Sequence, residues 1–150
     1  MAYNSLFSGK QLACPFFIPR QIVNDGSWPH PSRLPLGAGW NGACSAAGEE
    51  TPAAPEHIRE FCNLGYAIEC PHLPRERDWD AVRFAISRTS AEQVTLQYAC
   101  ELAHAPAAHG TLTYDLKSEC WRNPHPDARI QRLATSYLHA YRVRQSGGSV

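Results

Sequence analysis

Val82-Arg83-Phe84-Ala85-Ile86-Ser87, followed shortly by Val94-Thr95-Leu96-Gln97-Tyr98-Ala99-Cys100, is the stretch whose reading decides the fold. In both segments an apolar side chain returns at every second position, the period of a strand with one buried face. The link Arg88-Thr89-Ser90-Ala91-Glu92 has the length of a hairpin loop. After a loop expected from His104 to Gly110, Leu112, Tyr114 and Leu116 form a third alternation. Three consecutive strands on short links predict an antiparallel meander.

Beyond the turn Asn123-Pro124-His125-Pro126 the period changes. Ile130, Leu133, Ala134, Tyr137, Leu138 and Tyr141 lie on one helical stripe. Pro126 and Asp127 suit the first turn, and Arg142 and Arg144 suit the negative end. This helix is expected to pack on one face of the sheet, with a frayed tail from Gln145 to Val150.

Toward the N-terminus the chain is punctuated by Pro and Gly: Cys14-Pro15, Ile18-Pro19, Trp28-Pro29-His30-Pro31, Leu34-Pro35-Leu36-Gly37. Long helices and central strands do not survive such spacing. One short helix is expected from Pro55, with Ile58, Phe61 and Cys62 on its apolar face and Gly65 as its stop. The segment is too rich in Trp, Phe, Ile and Leu for a disordered tail, and a long apolar loop region needs something to pin it. The expectation is an α+β fold in one domain, 1–150, with a loop-rich metal-binding half at 1–77 and a sheet-plus-helix half at 78–150.

Composition narrows the function classes. The chain has 150 residues, 43% hydrophobic, with 14 basic and 14 acidic residues and no net charge. A protein that works by neutralising phosphates carries a basic excess, so nucleic acid is not an expected partner. The longest apolar runs are a few residues, as in Phe16-Phe17-Ile18, too short for a membrane span. The opening Met1-Ala2-Tyr3-Asn4-Ser5 lacks the charged start of a secretory signal, so the expected location is cytoplasmic.

Six cysteines in a reducing compartment call for a metal or reactive role more than a disulfide framework. Cys14, Cys44, Cys62 and Cys70 all fall in the loop-rich half, each beside turn-forming residues. Such turns supply the curved backbone and N–H donors that thiolates around a cluster need. The gaps between them are 29, 17 and 7 residues, without the close pairs of a zinc ribbon. Four ligands on separate loops suit a [4Fe–4S] cluster, with zinc as the alternative. Cys100 continues the inward face of the second strand and reads as core. Cys120, beside Trp121, is left open between covering the centre and serving as a replacement ligand. His30, His57 and His72 lie near this region but have no clean ligand spacing. The four tryptophans are expected to shield the centre and fill the core.

The strings Cys14-Pro15-Phe16-Phe17-Ile18-Pro19, Cys62-Asn63-Leu64-Gly65-Tyr66-Ala67 and Cys70-Pro71-His72-Leu73-Pro74 resemble a family of uncharacterised bacterial proteins. The likeness extends through Asp80-Ala81-Val82-Arg83-Phe84 to Asn123-Pro124-His125-Pro126. It implies no activity, and only that the four cysteines form one set. The functional expectation is an electron carrier or an accessory subunit of a redox assembly, docking on another protein. The alternative is a structural zinc- or cluster-stabilised interaction module, and a third possibility is an enzyme with an open coordination position on its metal.

Overall fold

The computed structural model describes residues 12–23, 25–64, 70–103 and 105–146. The predicted meander is present and longer than its alternation implied. Strands β4 (Ala81–Thr89), β5 (Gln93–Leu102) and β6 (Ala105–Asp115) run antiparallel, and a short β7 (Cys120–Trp121) closes the order β4-β5-β6-β7. Val82 faces Cys100, Phe84 faces Tyr98 and Leu96 faces Leu112, so one side of the sheet is a continuous apolar layer.

The expected loop from His104 to Gly110 is corrected: residues 105–110 belong to β6 and pair with β5. Pro106, the alanines and Gly110 read as breakers, yet Gly110 is there because its strand partner is an aromatic ring. A Cβ on Gly110 would stand 2.8 Å from the Tyr98 hydroxyl. The connection to β5 is tight, with Ala103 at φ 54.

The N-terminal half is also corrected, from loops alone to a second sheet. Strands β1 (Phe17–Val23), β2 (Gly39–Cys44) and β3 (Thr51–Pro52) form an antiparallel sheet in that order. Pro19 is tolerated because β1 is an edge strand and its register shifts between Pro19 and Gln21. Opposite it, Gly42 is required by close approach, since a Cβ there would lie 1.9 Å from the Ile18 carbonyl oxygen. The residues that argued against strands are thus the ones that let two short strands pair.

The short helix begins at Pro55 as expected, runs to His57 and continues as a π-helical turn over Ile58–Asn63. Its expected stop, Gly65, lies outside the described residues. The C-terminal helix (Ala128–Gln145) is capped by Asp127, whose Oδ1 accepts from the Arg129 N–H at 2.9 Å. Of the tail expected from Gln145 to Val150, Gln145 is the last helical residue and Ser146 its C-cap, and residues 147–150 lie outside the described residues.

This helix packs most extensively on β1 and touches β4 and β5, so it joins the two sheets rather than covering one. Ile130, Leu133, Ala134 and Leu138 are buried along it. At its far end Arg144 Nη1 donates to the Gly37 carbonyl at 2.6 Å, tying it to the loop before β2. One apolar cluster draws on both halves: Phe16, Phe17, Leu36 and Trp40 meet Val82, Phe84, Leu96, Ile130 and Leu133. Among the described residues no helix is long and apolar enough to cross a membrane.

Candidate metal centre

Each of the four sequence-predicted cysteines is delivered by a different element. Ala13 forms an antiparallel bridge with Val82, N–H to carbonyl at 2.7 and 2.9 Å, which places Cys14 where β4 begins. Cys44 ends β2 directly opposite Phe17. Ser45 donates through both its N–H and its hydroxyl to the Phe16 carbonyl, at 2.8 and 2.9 Å, so the Cys44 and Cys14 segments are stitched together.

Cys62 lies in the π-helical turn, and its neighbour Asn63 locks that turn to β2. Asn63 Oδ1 accepts from the Trp40 N–H and its Nδ2 donates to the Trp40 carbonyl, both at 2.9 Å in the interior. Cys70 opens the segment that leads into β4. That segment is anchored by Asp80, which pairs with Arg77 and accepts from the Ala103 N–H at 2.6 Å.

The two Cys-Pro steps build the same turn. The Phe17 N–H reaches the Cys14 carbonyl, and the Leu73 N–H reaches the Cys70 carbonyl, both at 3.2 Å. In each turn the two N–H groups that follow the proline also favour the thiolate: Phe16 and Phe17 at Cys14, His72 and Leu73 at Cys70. Cys44 Sγ accepts similarly from the Ala46 N–H at 3.4 Å. Proline fixes φ at the turn's second position and lacks an N–H, so the turn is closed by the amide two residues after it, Phe17 or Leu73.

Burial nevertheless dominates the protonation of Cys14, Cys62 and Cys70. It pushes Cys14 up to about 12, against the two amides, and the charges of Cys44 and Cys70 push the same way. Cys62 is raised by burial first, then by Cys14, Cys44 and Cys70. Cys70 is raised by burial and by Cys44. The Ser45 hydrogen bonds to Phe16 join the Cys14 and Cys44 segments, and the Asn63 hydrogen bonds to Trp40 join the Cys62 turn to β2, the strand that Cys44 ends. All four are free thiols, Cys14 and Cys62 buried, Cys44 and Cys70 half-buried. Among the described residues no group of three or more His, Cys, Asp or Glu is disposed to hold a single metal ion.

His57, near the cysteines in sequence but without ligand spacing to them, is brought to Cys70 by the fold. Its Nε2 lies 3.2 Å from Cys70 Sγ, and its ring stacks within 4.8 Å of His72 and 4.7 Å of Phe61. No ligand spacing could reveal it, because the contact spans 13 residues and depends on the short helix starting at Pro55. Desolvation, then the charge of His72, lowers the His57 pKa. The two histidines and Cys44 line a cavity of about 290 Å³ between β3 and the short helix. His30 is exposed beside the 3-10 turn Pro31–Arg33.

Cys100 is fully buried on the inner face of β5, and burial raises its thiol to about 12. Cys120, left open by the sequence, lies on β7. It is exposed, paired with Asp115 and 3.0 Å from the Ser118 hydroxyl, at the far edge of the larger sheet. Of the tryptophans Trp40 is buried, while Trp79 and Trp121 pack partly buried against the core. Trp28 lies beneath the Arg59 guanidinium at 4.1 Å.

Comparison with protein-family models, curated proteins and solved structures finds no match to this chain. Fold and function therefore rest on its own residues.

Proposed function

We propose that the chain is a metal-centre protein whose Cys14, Cys44, Cys62 and Cys70 hold a [4Fe–4S] cluster, serving as an electron carrier or an accessory subunit of a redox assembly. What supports this reading is four free thiols on four segments, three of which are joined by the Ser45–Phe16 and Asn63–Trp40 hydrogen bonds, with the Ala46 N–H donating to Cys44 Sγ. Amide donors to sulfur stabilise the negative charge of ligating thiolates and tune a cluster's potential.

The choice of cluster over zinc rests on sequence spacing: gaps of 29, 17 and 7 residues lack the close cysteine pairs of a zinc ribbon. A cubane gives each thiolate its own iron and so accepts a wider set. Half-buried Cys44 and Cys70 would leave one side of the cluster near the surface, where electrons can pass to a partner. With Cys70 as thiolate, His57 Nε2–H is placed to donate to it.

A structural reading has its own support: Cys14 and Cys62 belong to the main apolar cluster, so a metal there would complete a core. Anaerobic purification followed by an absorption spectrum and metal analysis separates the readings. A brown protein with about four irons per chain and reversible reduction supports the electron carrier. A colourless protein with one zinc, redox-silent and unfolding on chelation, replaces it with the structural module. Protein that binds neither metal on reconstitution overturns both.

A further inference from the structure

Among the described residues, His57 is the one side chain that makes a hydrogen bond to Cys14, Cys44, Cys62 or Cys70: its Nε2 lies 3.2 Å from Cys70 Sγ. At Cys44 the donor is a backbone group, the Ala46 N–H. Backbone donors come with any sequence that makes the turns. A side-chain donor is a choice of residue, and one substitution removes it without rebuilding the chain.

The ring is held from two segments. Phe61 follows His57 by four residues and so lies on the same side of the helical turn, ring centres 4.7 Å apart. His72 packs at 4.8 Å from the segment that carries Cys70 itself. His57 also stands where the short helix passes into the π-helical turn, and that turn is fixed to β2 by Asn63. The ring is half-buried, with exposed His72 on its outer side, and both line the cavity of about 290 Å³ that Cys44 shares. The contact therefore lies between Cys70 and the surface.

We propose that His57 is a positioning residue that raises the reduction potential of the centre, acting through an Nε2–H hydrogen bond to the Cys70 thiolate. The inference rests on the cluster reading above. A thiolate has no hydrogen to give, so the ring nitrogen facing it carries one. Reduction by one electron from an external donor increases the negative charge on the ligating sulfurs. An N–H aimed at one of them stabilises the reduced form more than the oxidised form. His57 keeps its hydrogen in both states, and no proton is transferred.

The test is a dye-mediated redox titration of the full chain, reconstituted without air. His57→Phe keeps a ring for Phe61 and His72 to pack on and removes the nitrogen. It is expected to lower the midpoint by at least about 30 mV, a threefold change in a one-electron equilibrium at roughly 59 mV per tenfold. Iron content should be unchanged. His57→Gln returns an N–H donor and should recover at least half of the shift, while His30→Phe, at an exposed position, should leave the midpoint in place. The contact is also read without iron. In metal-free protein His57→Phe should slow alkylation of Cys70 at least threefold, because an imidazole at hydrogen-bond distance favours the thiolate, and leave exposed Cys120 as before. An unmoved midpoint in His57→Phe, no recovery in His57→Gln or an unchanged rate at Cys70 overturns the proposal. Loss of iron in His57→Phe alone also overturns it, since His57 is then a ligand and not a donor. Wild-type protein that takes up no iron overturns the cluster reading itself, and this inference falls with it.

Discussion

The two sheets are held by different physics. β4, β5 and β6 have 9, 10 and 11 residues and share a layer of alternating apolar side chains, so their register is enforced many times over. β1, β2 and β3 have 7, 6 and 2 residues, and their geometry is fixed by single contacts. Ser45 on the Phe16 carbonyl, Asn63 on both backbone groups of Trp40 and Thr51 on the Cys44 carbonyl each tie one segment to another. The four thiols sit in the region with the least redundancy. A site placed there can be reshaped by few substitutions, and a bound metal adds rigidity where the protein has least of its own.

The sharpest way to break this contrast is to damage the redundant side. Phe84 is 1% exposed, between Tyr98 across the strands and Tyr137 on the helix, ring centres 5.7 Å apart in the second case. Phe84→Ala is expected to cost about 3–5 kcal/mol in urea unfolding. Because the core is continuous, it should loosen both sheets together. A loss below about 1 kcal/mol would mean that the larger sheet does not carry the stability of the whole.

Alkaline pH tests the thiol corner next, on metal-free protein. Cys14 and Cys100 are raised from an ordinary 9.0 to about 12, and Cys62 is raised further. Between those values the unfolded chain has released these protons and the folded chain has not. Stability is therefore full below pH 9 and falls as pH rises, by about 1.4 kcal/mol per thiol at pH 10. Urea midpoints at pH 8 and pH 10 measure the sum, and Cys100→Ala removes the larger sheet's share. Metal-loaded protein should reverse the sign, because ligation needs thiolates and acid displaces the metal. A metal-free midpoint unchanged to pH 10 would mean that the thiols are open to water.

These two experiments also mark where the chain's sequence is and is not readable. Alternation around Val82 and Val94 and the stripe from Ile130 to Tyr141 are set by burial, a property of many residues at once, and survive local exceptions. The β1–β2 pair is not readable that way. Pro19 and Gly42 each argue against a strand alone, and only their pairing across the sheet makes both fit. The four cysteines stand out by residue type and by the Cys-Pro turns. His57 depends on a contact between distant segments that no spacing encodes.

Asn63→Ala probes that kind of contact directly. It leaves the buried Trp40 N–H and carbonyl without their side-chain partner, at an expected cost of about 2 kcal/mol. The effect should be local as well as global: with the turn unlocked from β2, Cys62 should react faster with an alkylating agent while Cys100 does not. Equal acceleration at both thiols would dissolve the distinction between the two regions.

The smallest expected effect falls on the element the regions share. Asp127 caps the C-terminal helix, and Asp127→Ala should cost about 1 kcal/mol. The helix touches β1 on one side and β4 and β5 on the other, so a frayed first turn loosens both contacts at once. The Ile130 end of the stripe lies within that first turn, so the loss reaches the core and not only the helix end. Hydrogen exchange should therefore rise by similar factors in β1 and β4. If only β1 responds, the helix belongs to the smaller sheet, and the larger one stands without it.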